Sequence, residues 1–511
     1  MRWRVSLADP PQGRVRWLVA TIFLALAAWY LIFAVQRYET SHLYGDEPEY
    51  FLMGVSVWED GDLDLRNQFE DPDRRAFPGP LTFKIDPAGG PSPSNFMPTH
   101  GVLISQPVYI VFGLLGVLMV YAAINLLSLF LMFVLARRSF GDLPSILAVG
   151  AVGFSVPLAW HAASVWSEIP ALCAVAAILA MEPYLERSLG ARVTTGVLLA
   201  GLPWLHQKYG FLVAGLVLAI AVSRVRWTPA WKGLLPWPRV RRWRMWPWLV
   251  ALPFAGALGT VLFSLHVQGR ANFTQAGGDD ITGAFDGTVG RIVGQPFAWF
   301  VDQTRGYIPY APVWILAGVG VLFLLRFSAG REWLRYLLIA FTPYFLVYFP
   351  GPFLGGDAPP GRETLVALPA LAVLLAAGFK ALRGPLAVGV AAALTALSVL
   401  IGTVPAFRPG MDIFFNNVGQ PKLFNTIARE RWNYAEWWPR MTTDPFTYQR
   451  GALLLAVLAV AGAVTVLYLS SRLQSARDPW TMRGPDGEER ERPLRMPTKG
   501  RTSRHVDASG A

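Results

Sequence analysis

Long apolar runs recur from one end of the chain to the other, separated by polar links of very different character. The first, RVRWLVATIFLALAAWYLIFAVQR (14–37), exceeds the ~20 residues that the hydrocarbon core of a bilayer requires of a helix. Further runs fall near 117–136, 143–160, 168–183, 193–206, 208–223, 246–267, 309–326, 335–350, 364–381, 384–404 and 451–470. The pattern predicts an all-α integral membrane protein, one bundle of about twelve membrane-spanning helices. The pair at 193–223 has a second reading, because LHQKYG can be a break inside a membrane-embedded segment instead of a loop.

Composition agrees with the pattern. Of 511 residues, 53% are hydrophobic and 15% charged, against about 25% charged in soluble domains. Arg2, Arg4, Arg14 and Arg16 precede the first run as they would a signal peptide. That run is too long for one and no small-residue cleavage site follows, so it predicts a retained anchor. The single cysteine, Cys173, allows no internal disulfide.

Charge fixes an expected orientation. With the N-terminus inside, the short links ARRSFG, SRVRWTPAWKGLLPWPRVRRWR, RFSAGREWLR and KALRG all fall on the cytoplasmic side. The outer segments 38–116, 268–308, 351–363 and 405–450 then carry more acids than bases. The net charge of +11 therefore faces anionic lipid at the cytoplasmic surface, and no nucleic-acid partner is needed to explain it. Residues 1–475 form the expected membrane domain, in a plasma membrane. Residues 476–511, polar and rich in Arg, Pro and Gly, predict a disordered basic tail, so both termini are expected in the cytoplasm.

The first outer loop is dense in acids: YGDEPEYFLMGVSVWEDGDLDL (44–65). Pro48 suits the first turn of a helix, Glu47 its N-cap and Gly61 its end. Phe51, Leu52, Val55 and Trp58 recur at helical spacing. Two amphipathic helices, near 48–60 and 101–116, are thus expected to lie on the outer membrane surface. Asp46 and Glu47 would stand at the positive end of the first, which favours the ionised carboxylate that a general base needs. An ordinary helix start with solvated caps is the other reading. Asp60, Asp62, Asp64 and Asp71 alternate as in a calcium loop, but Leu65 stands where the turn requires Gly and Asp71 where a bidentate Glu is required. No metal site is assigned, and dependence on a divalent metal is left open.

Other ionisable groups interrupt apolar surroundings. HAASVWSEIPAL (161–172) places Glu168 at an outer helix start, where Ser167 can act as cap. GLPWLHQKYGF (201–211) places His206 and Lys208 between apolar runs; such groups face a protein interior or a wet cavity, or snorkel to the interface. VDQTRGYIPYAPVWIL (301–316) carries Arg305, Tyr307 and Tyr310, with the tyrosines also suited to an interfacial belt. Arg362 closes a Gly/Pro-rich loop. Arginine suits phosphate through paired donors. Acids Asp46, Glu47 and Glu168 and bases Lys208, Arg305 and Arg362 all fall at outer helix ends and can line one outward cavity.

Taken in order, GDEPEY and DGDLDL after the first span, SEIPAL (167–172), GLPWLHQKYG (201–210), RGYIPYAPVWIL (305–316) and APPGRETLVALPAL (358–371) resemble the GT-C superfamily of polytopic glycosyltransferases. The resemblance covers roughly residues 15–405 and is to the branch holding protein O-mannosyltransferases and lipid A aminoarabinose transferases. It implies a GT-C-like bundle, a polyprenyl-phosphate-linked sugar donor used at the outer face, and a catalytic acid in the first outer loop, at Asp46 with Glu47 beside it. It further implies substrate-binding roles for Glu168, His206, Lys208, Arg305, Tyr310 and Arg362. The acceptor, a protein, lipid or polysaccharide hydroxyl, is not identified. A lipid or polysaccharide transporter, or a non-catalytic scaffold of envelope assembly, are the alternatives.

Overall fold

The computed structural model describes residues 14–40, 43, 46–70, 97–226, 239–240, 247–268, 299–302, 306–348, 361–407, 438, 450–473, 481–483 and 489–491. Each apolar run named above is largely helical there. The long helices are α1 (Arg14–Thr40), α2 (Glu47–Glu59), α3 (Gln106–Phe140), α4 (Asp142–Phe154), α5 (Glu168–Met181), α6 (Leu189–Leu205) and α7 (Tyr209–Arg224). They continue with α8 (Leu252–Gln268), α9 (Ile315–Leu324), α10 (Ser328–Tyr348), α11 (Leu368–Ala381), α12 (Pro385–Phe407) and α13 (Arg450–Leu473). Among the described residues, five stretches are long and apolar enough to cross a membrane: Val15–Glu39, Gly101–Phe140, Pro247–His266, Arg362–Ala381 and Pro385–Thr403. Among the described residues, two short antiparallel strand pairs occur besides the helices, Val225–Arg226 with Arg239–Val240 and Thr481–Arg483 with Glu489–Glu491. Large apolar side chains such as Leu24, Phe112, Phe254, Leu338 and Leu400 are exposed on the bundle, as a lipid-facing surface requires.

Two apolar clusters make up the interior. One gathers α1 to α4, the 156–172 segment, α9 and much of α11. The other gathers α5, α6, α7 and α10. Within them α9 packs on α11, α7 on α10, α3 on α5 and α6 on α8. Glu168 opens α5, which contributes to both clusters, and Arg362 opens the 3₁₀ turn Arg362–Ala367 that leads into α11. The functional residues therefore collect where the two halves of the interior meet.

The first outer loop departs from expectation in two ways. The N-cap of α2 is Asp46, with Pro48 in the first turn, so Glu47 is the first helical residue. And α2 is not laid on the surface: Glu47, Pro48 and every residue from Tyr50 to Ser56 are buried. The reason is in the sequence. Tyr50, Phe51, Leu52 and Met53 are consecutive, so apolar groups surround the helix where a surface helix would carry one apolar stripe. The expected stop is present: Gly61 has φ +74, and its N–H reaches back to the Ser56 carbonyl at 3.0 Å, a glycine terminator. The second segment begins as a π-helical turn, Gly101–Ser105, and continues directly into α3, which is itself broken at Gly113 (φ +66). Before the break Leu103, Ile110, Val111 and Phe112 are exposed while Gly101, Ser105 and Gln106 are buried, so this segment is amphipathic.

LHQKYG is a break between α6 and α7. His206 is extended (φ −167, ψ 134), and Gln207 and Lys208 form the turn.

Candidate active site

Asp46, Glu168, Lys208 and Arg362, four residues from four separate segments, form one ionic network. The Glu168 carboxylate is fully buried; its Oε1 accepts from Lys208 Nζ at 2.5 Å and from Arg362 Nε at 3.1 Å. Arg362 Nη2 donates to Asp46 Oδ2 at 2.7 Å. Arg362 thus bridges two carboxylates from residues 46 and 168, using the fixed fork of the guanidinium. The Asp46 side chain is 32% exposed, against 0% for Glu168. Asp46 is therefore the carboxylate of the network that a substrate can reach. It makes no side-chain capping bond to α2, so its oxygens serve the network instead of the helix end.

Backbone and packing fix Arg362. Gly361 precedes it at φ +78, a conformation that L side chains rarely adopt, and a Cβ there would meet Pro157 Cβ at 2.9 Å and the Tyr307 ring at 3.0 Å. Glycine is thus required both by the turn and by the close approach. The guanidinium lies over the Trp166 ring, 3.5 Å from its centroid, a cation–π contact that holds the plane of the fork. Trp166 stands two residues before Glu168, so one short segment supplies both the platform and the carboxylate.

Glu47 turns away from this network. Its carboxylate is fully buried, pairs with Arg37 at the end of α1, and accepts the Val165 N–H at 2.7 Å. Arg37 also donates to the Ala163 carbonyl at 2.7 Å and to Ser164 Oγ at 3.2 Å. The pair ties the ends of α1 and α2 to the segment that carries Trp166 and Glu168.

Behind Asp46 the site is aromatic and buried. Tyr50, one turn along α2, stands 3.4 Å from Ser167 Oγ and its ring lies 4.3 Å from that of His100. Burial, reinforced by the Glu168 charge, pushes the Tyr50 phenol well above its ordinary range, so it stays protonated. His100 Nδ1 is 2.7 Å from the Tyr121 hydroxyl, and burial lowers the imidazole to about 3, leaving it neutral.

The remaining candidates divide. The His206 ring accepts the Lys208 backbone N–H at 3.2 Å and so shapes the turn that presents Lys208. Tyr310 is buried edge-to-face on Trp160, 5.4 Å away. Arg305 lies outside the described residues. Asp60 accepts from Asn67 and Gln68, Asp62 from Ser56, and Asp64 from Arg66; Asp71 is outside the described residues. Among the described residues no three His, Cys, Asp or Glu side chains converge as a metal site. Arg37, Tyr50, His100 and Trp166 were not singled out from sequence, and Ser167 only as a cap; it stands at the N-cap of α5 but makes no side-chain capping bond. Two signals were available: Tyr50 is four residues after Asp46 and so shares its helical face, and Trp166 and Ser167 adjoin Glu168.

No protein-family model and no curated protein sequence matches the chain. Solved structures do. ArnT from Cupriavidus metallidurans bound to undecaprenyl phosphate aligns at TM-score 0.50 and 17% identity, over 90% of this chain and 73% of that one. The apo state of the same protein aligns at TM-score 0.46 and 18% identity, over 90% of this chain and 75% of that one. The archaeal oligosaccharyltransferase AglB from Archaeoglobus fulgidus, in complex with an inhibitory peptide and a dolichol-phosphate, aligns at TM-score 0.45 and 12% identity, over 85% of this chain and 61% of that one. The likeness to ArnT is one of fold.

Proposed function

We propose that this chain is a multi-pass membrane glycosyltransferase that moves a sugar from a polyprenyl-phosphate-linked donor to an acceptor hydroxyl at the outer face of the plasma membrane, with both termini cytoplasmic. The observation that carries the reading is the network itself. A reachable carboxylate, Asp46, pairs with the largely buried Arg362, which shares the Glu168 carboxylate with the buried Lys208. The undecaprenyl phosphate bound to the ArnT neighbour supports a lipid phosphate as the ligand class.

In this reading Asp46 takes the proton of the acceptor O–H as the oxygen attacks the anomeric carbon. The bond from that carbon to the phosphate oxygen breaks, its electron pair stays on the phosphate, and the polyprenyl phosphate departs. General base catalysis contributes about 10²–10⁴-fold, and stabilising charge on the departing phosphate contributes more. Arg362 is suited to stabilising that charge. Its Nε and Nη2 engage carboxylates, and a guanidinium has five N–H donors, so donors remain for phosphate oxygens. Lys208 adds a second positive charge. Glu168 orients both cations, Glu47 anchors the frame through Arg37, and His206 shapes the turn that carries Lys208. The roles of Arg305 and Tyr310 as donor contacts stay part of the proposal, resting on sequence position.

The test is transfer from radiolabelled polyprenyl-phosphate sugars to endogenous acceptors in membrane vesicles with and without the chain. The reading expects chain-dependent labelled product and release of polyprenyl phosphate. Movement of lipid across liposomes by purified protein, with no transfer in vesicles, would establish a transporter instead.

A further inference from the structure

The network is one arc of a larger ring. Asp46 binds Arg362, Arg362 binds Glu168, the other Glu168 oxygen accepts from Ser167 Oγ at 3.2 Å, and Ser167 Oγ meets the Tyr50 hydroxyl at 3.4 Å. Tyr50 returns to the start, because its backbone N–H donates to the Asp46 carbonyl at 3.1 Å. Five residues from three segments thus close a circuit whose two ends sit one turn apart on α2.

Proton counting fixes the direction of the weakest link. An ionised carboxylate only accepts, and a serine hydroxyl has one proton to give. Ser167 spends that proton on Glu168, so in the Tyr50–Ser167 contact the phenol is the donor. Tyr50 is suited to it: the hydroxyl is buried and held protonated, and the ring is fixed against His100.

We propose that Tyr50 and Ser167 are positioning residues, which hold Glu168 so that it presents Arg362 to Asp46 and to the donor phosphate. Neither needs to touch substrate. Their effect travels through Glu168: with one oxygen fixed by Ser167, the other is left for Lys208 and Arg362 together. The inference rests on the transferase reading for its kinetic consequence, and on geometry alone for its structural one.

Tyr50→Phe keeps the ring on His100 and removes only the donor, and Ser167→Ala removes the relay. A buried neutral hydrogen bond is modest, so the expected loss is about five- to tenfold. It should fall on kcat with KM for the lipid-linked donor unchanged within about twofold, since charge stabilisation of the leaving phosphate is lost while lipid contacts persist. Because both variants break one chain, the double variant should be no slower than the slower single one. A role in folding alone would instead lower the yield of active protein and leave kcat per active molecule intact.

A second arm does not depend on transfer. In the full chain in nanodiscs, Tyr50→Phe should speed amide hydrogen exchange in peptides spanning 164–169 about tenfold, with exchange in α9 and α11 unchanged. Wild-type kcat in Tyr50→Phe, or losses that multiply in the double variant, would overturn the proposal. If wild-type protein transfers no sugar, the transferase reading fails, and the exchange arm decides the positioning claim: unchanged exchange at 164–169 overturns it.

Discussion

Neutralising Glu168 while keeping its shape should destabilise the fold, and removing Lys208 as well should restore much of the loss. The Glu168 and Lys208 side chains are 0% and 5% exposed and 2.5 Å apart. In Glu168→Gln the ammonium stays buried against a neutral amide. Arg362 keeps Asp46, whose partly exposed carboxylate is screened by water. Removing one partner of a buried pair costs about 3–5 kcal/mol, whereas removing both charges is often near neutral. Glu168→Gln should therefore lose about 3–5 kcal/mol, and Glu168→Gln with Lys208→Met should recover about half of it. Full recovery is not expected, because Arg362 also loses a partner. Unfolding in mixed micelles by titrated dodecyl sulfate, followed by tryptophan fluorescence and circular dichroism, reads all four proteins of the cycle. A Glu168→Gln chain within about 1 kcal/mol of wild type, or a double variant losing the sum of the two singles, would refute a tightly coupled buried pair.

Two further outcomes follow from the geometry. Arg362→Lys keeps the charge but loses the fork that spans Asp46 and Glu168, and an ammonium stacks less well on Trp166; transfer should fall at least about tenfold at saturating acceptor, and wild-type kinetics would contradict the bridging role. His100 gives an acid signature. Its folded value of about 3 lies below its ordinary one, so between the two the unfolded chain binds more protons and stability falls as the medium is acidified. Above the ordinary value the effect vanishes. His100→Asn should therefore flatten the pH dependence by up to about 1.4 kcal/mol per pH unit below about pH 6; parallel curves for the two proteins would show that the histidine titrates freely.

The apolar runs were legible because a bilayer demands length and hydrophobicity in each segment separately. The break at 206–208, the stop at Gly61 and the gathering of Asp46, Glu168, Lys208 and Arg362 at helix ends were legible for a similar local reason. Costly charges in apolar surroundings stand out one by one. What did not show was pairing. Arg362 and Asp46 are 316 positions apart, and nothing local says that Arg37 takes Glu47 while Arg362 takes Asp46. Asp46 was set as the catalytic acid with Glu47 beside it, yet only Asp46, at the N-cap position of α2, faces the network, while Glu47 is sealed beneath it. Burial of α2 was misread because its apolar spacing fits a surface stripe. The unbroken run Tyr50 to Met53 was the sign that the helix is enclosed. Tyr50, His100 and Trp166 were passed over because aromatic residues in apolar sequence are ordinarily packing.

The most direct test of the central claim is the rate of sugar transfer by Asp46→Asn. The variant keeps the size of the side chain and an oxygen for Arg362, and removes the basic carboxylate. With the protein reconstituted beside wild type and supplied with a labelled polyprenyl-phosphate sugar, the account predicts a loss of about 10²-fold or more in kcat. Correct folding would be checked by unfolding in the same mixed micelles. Transfer by Asp46→Asn at the wild-type rate would contradict the assignment of Asp46 as the base.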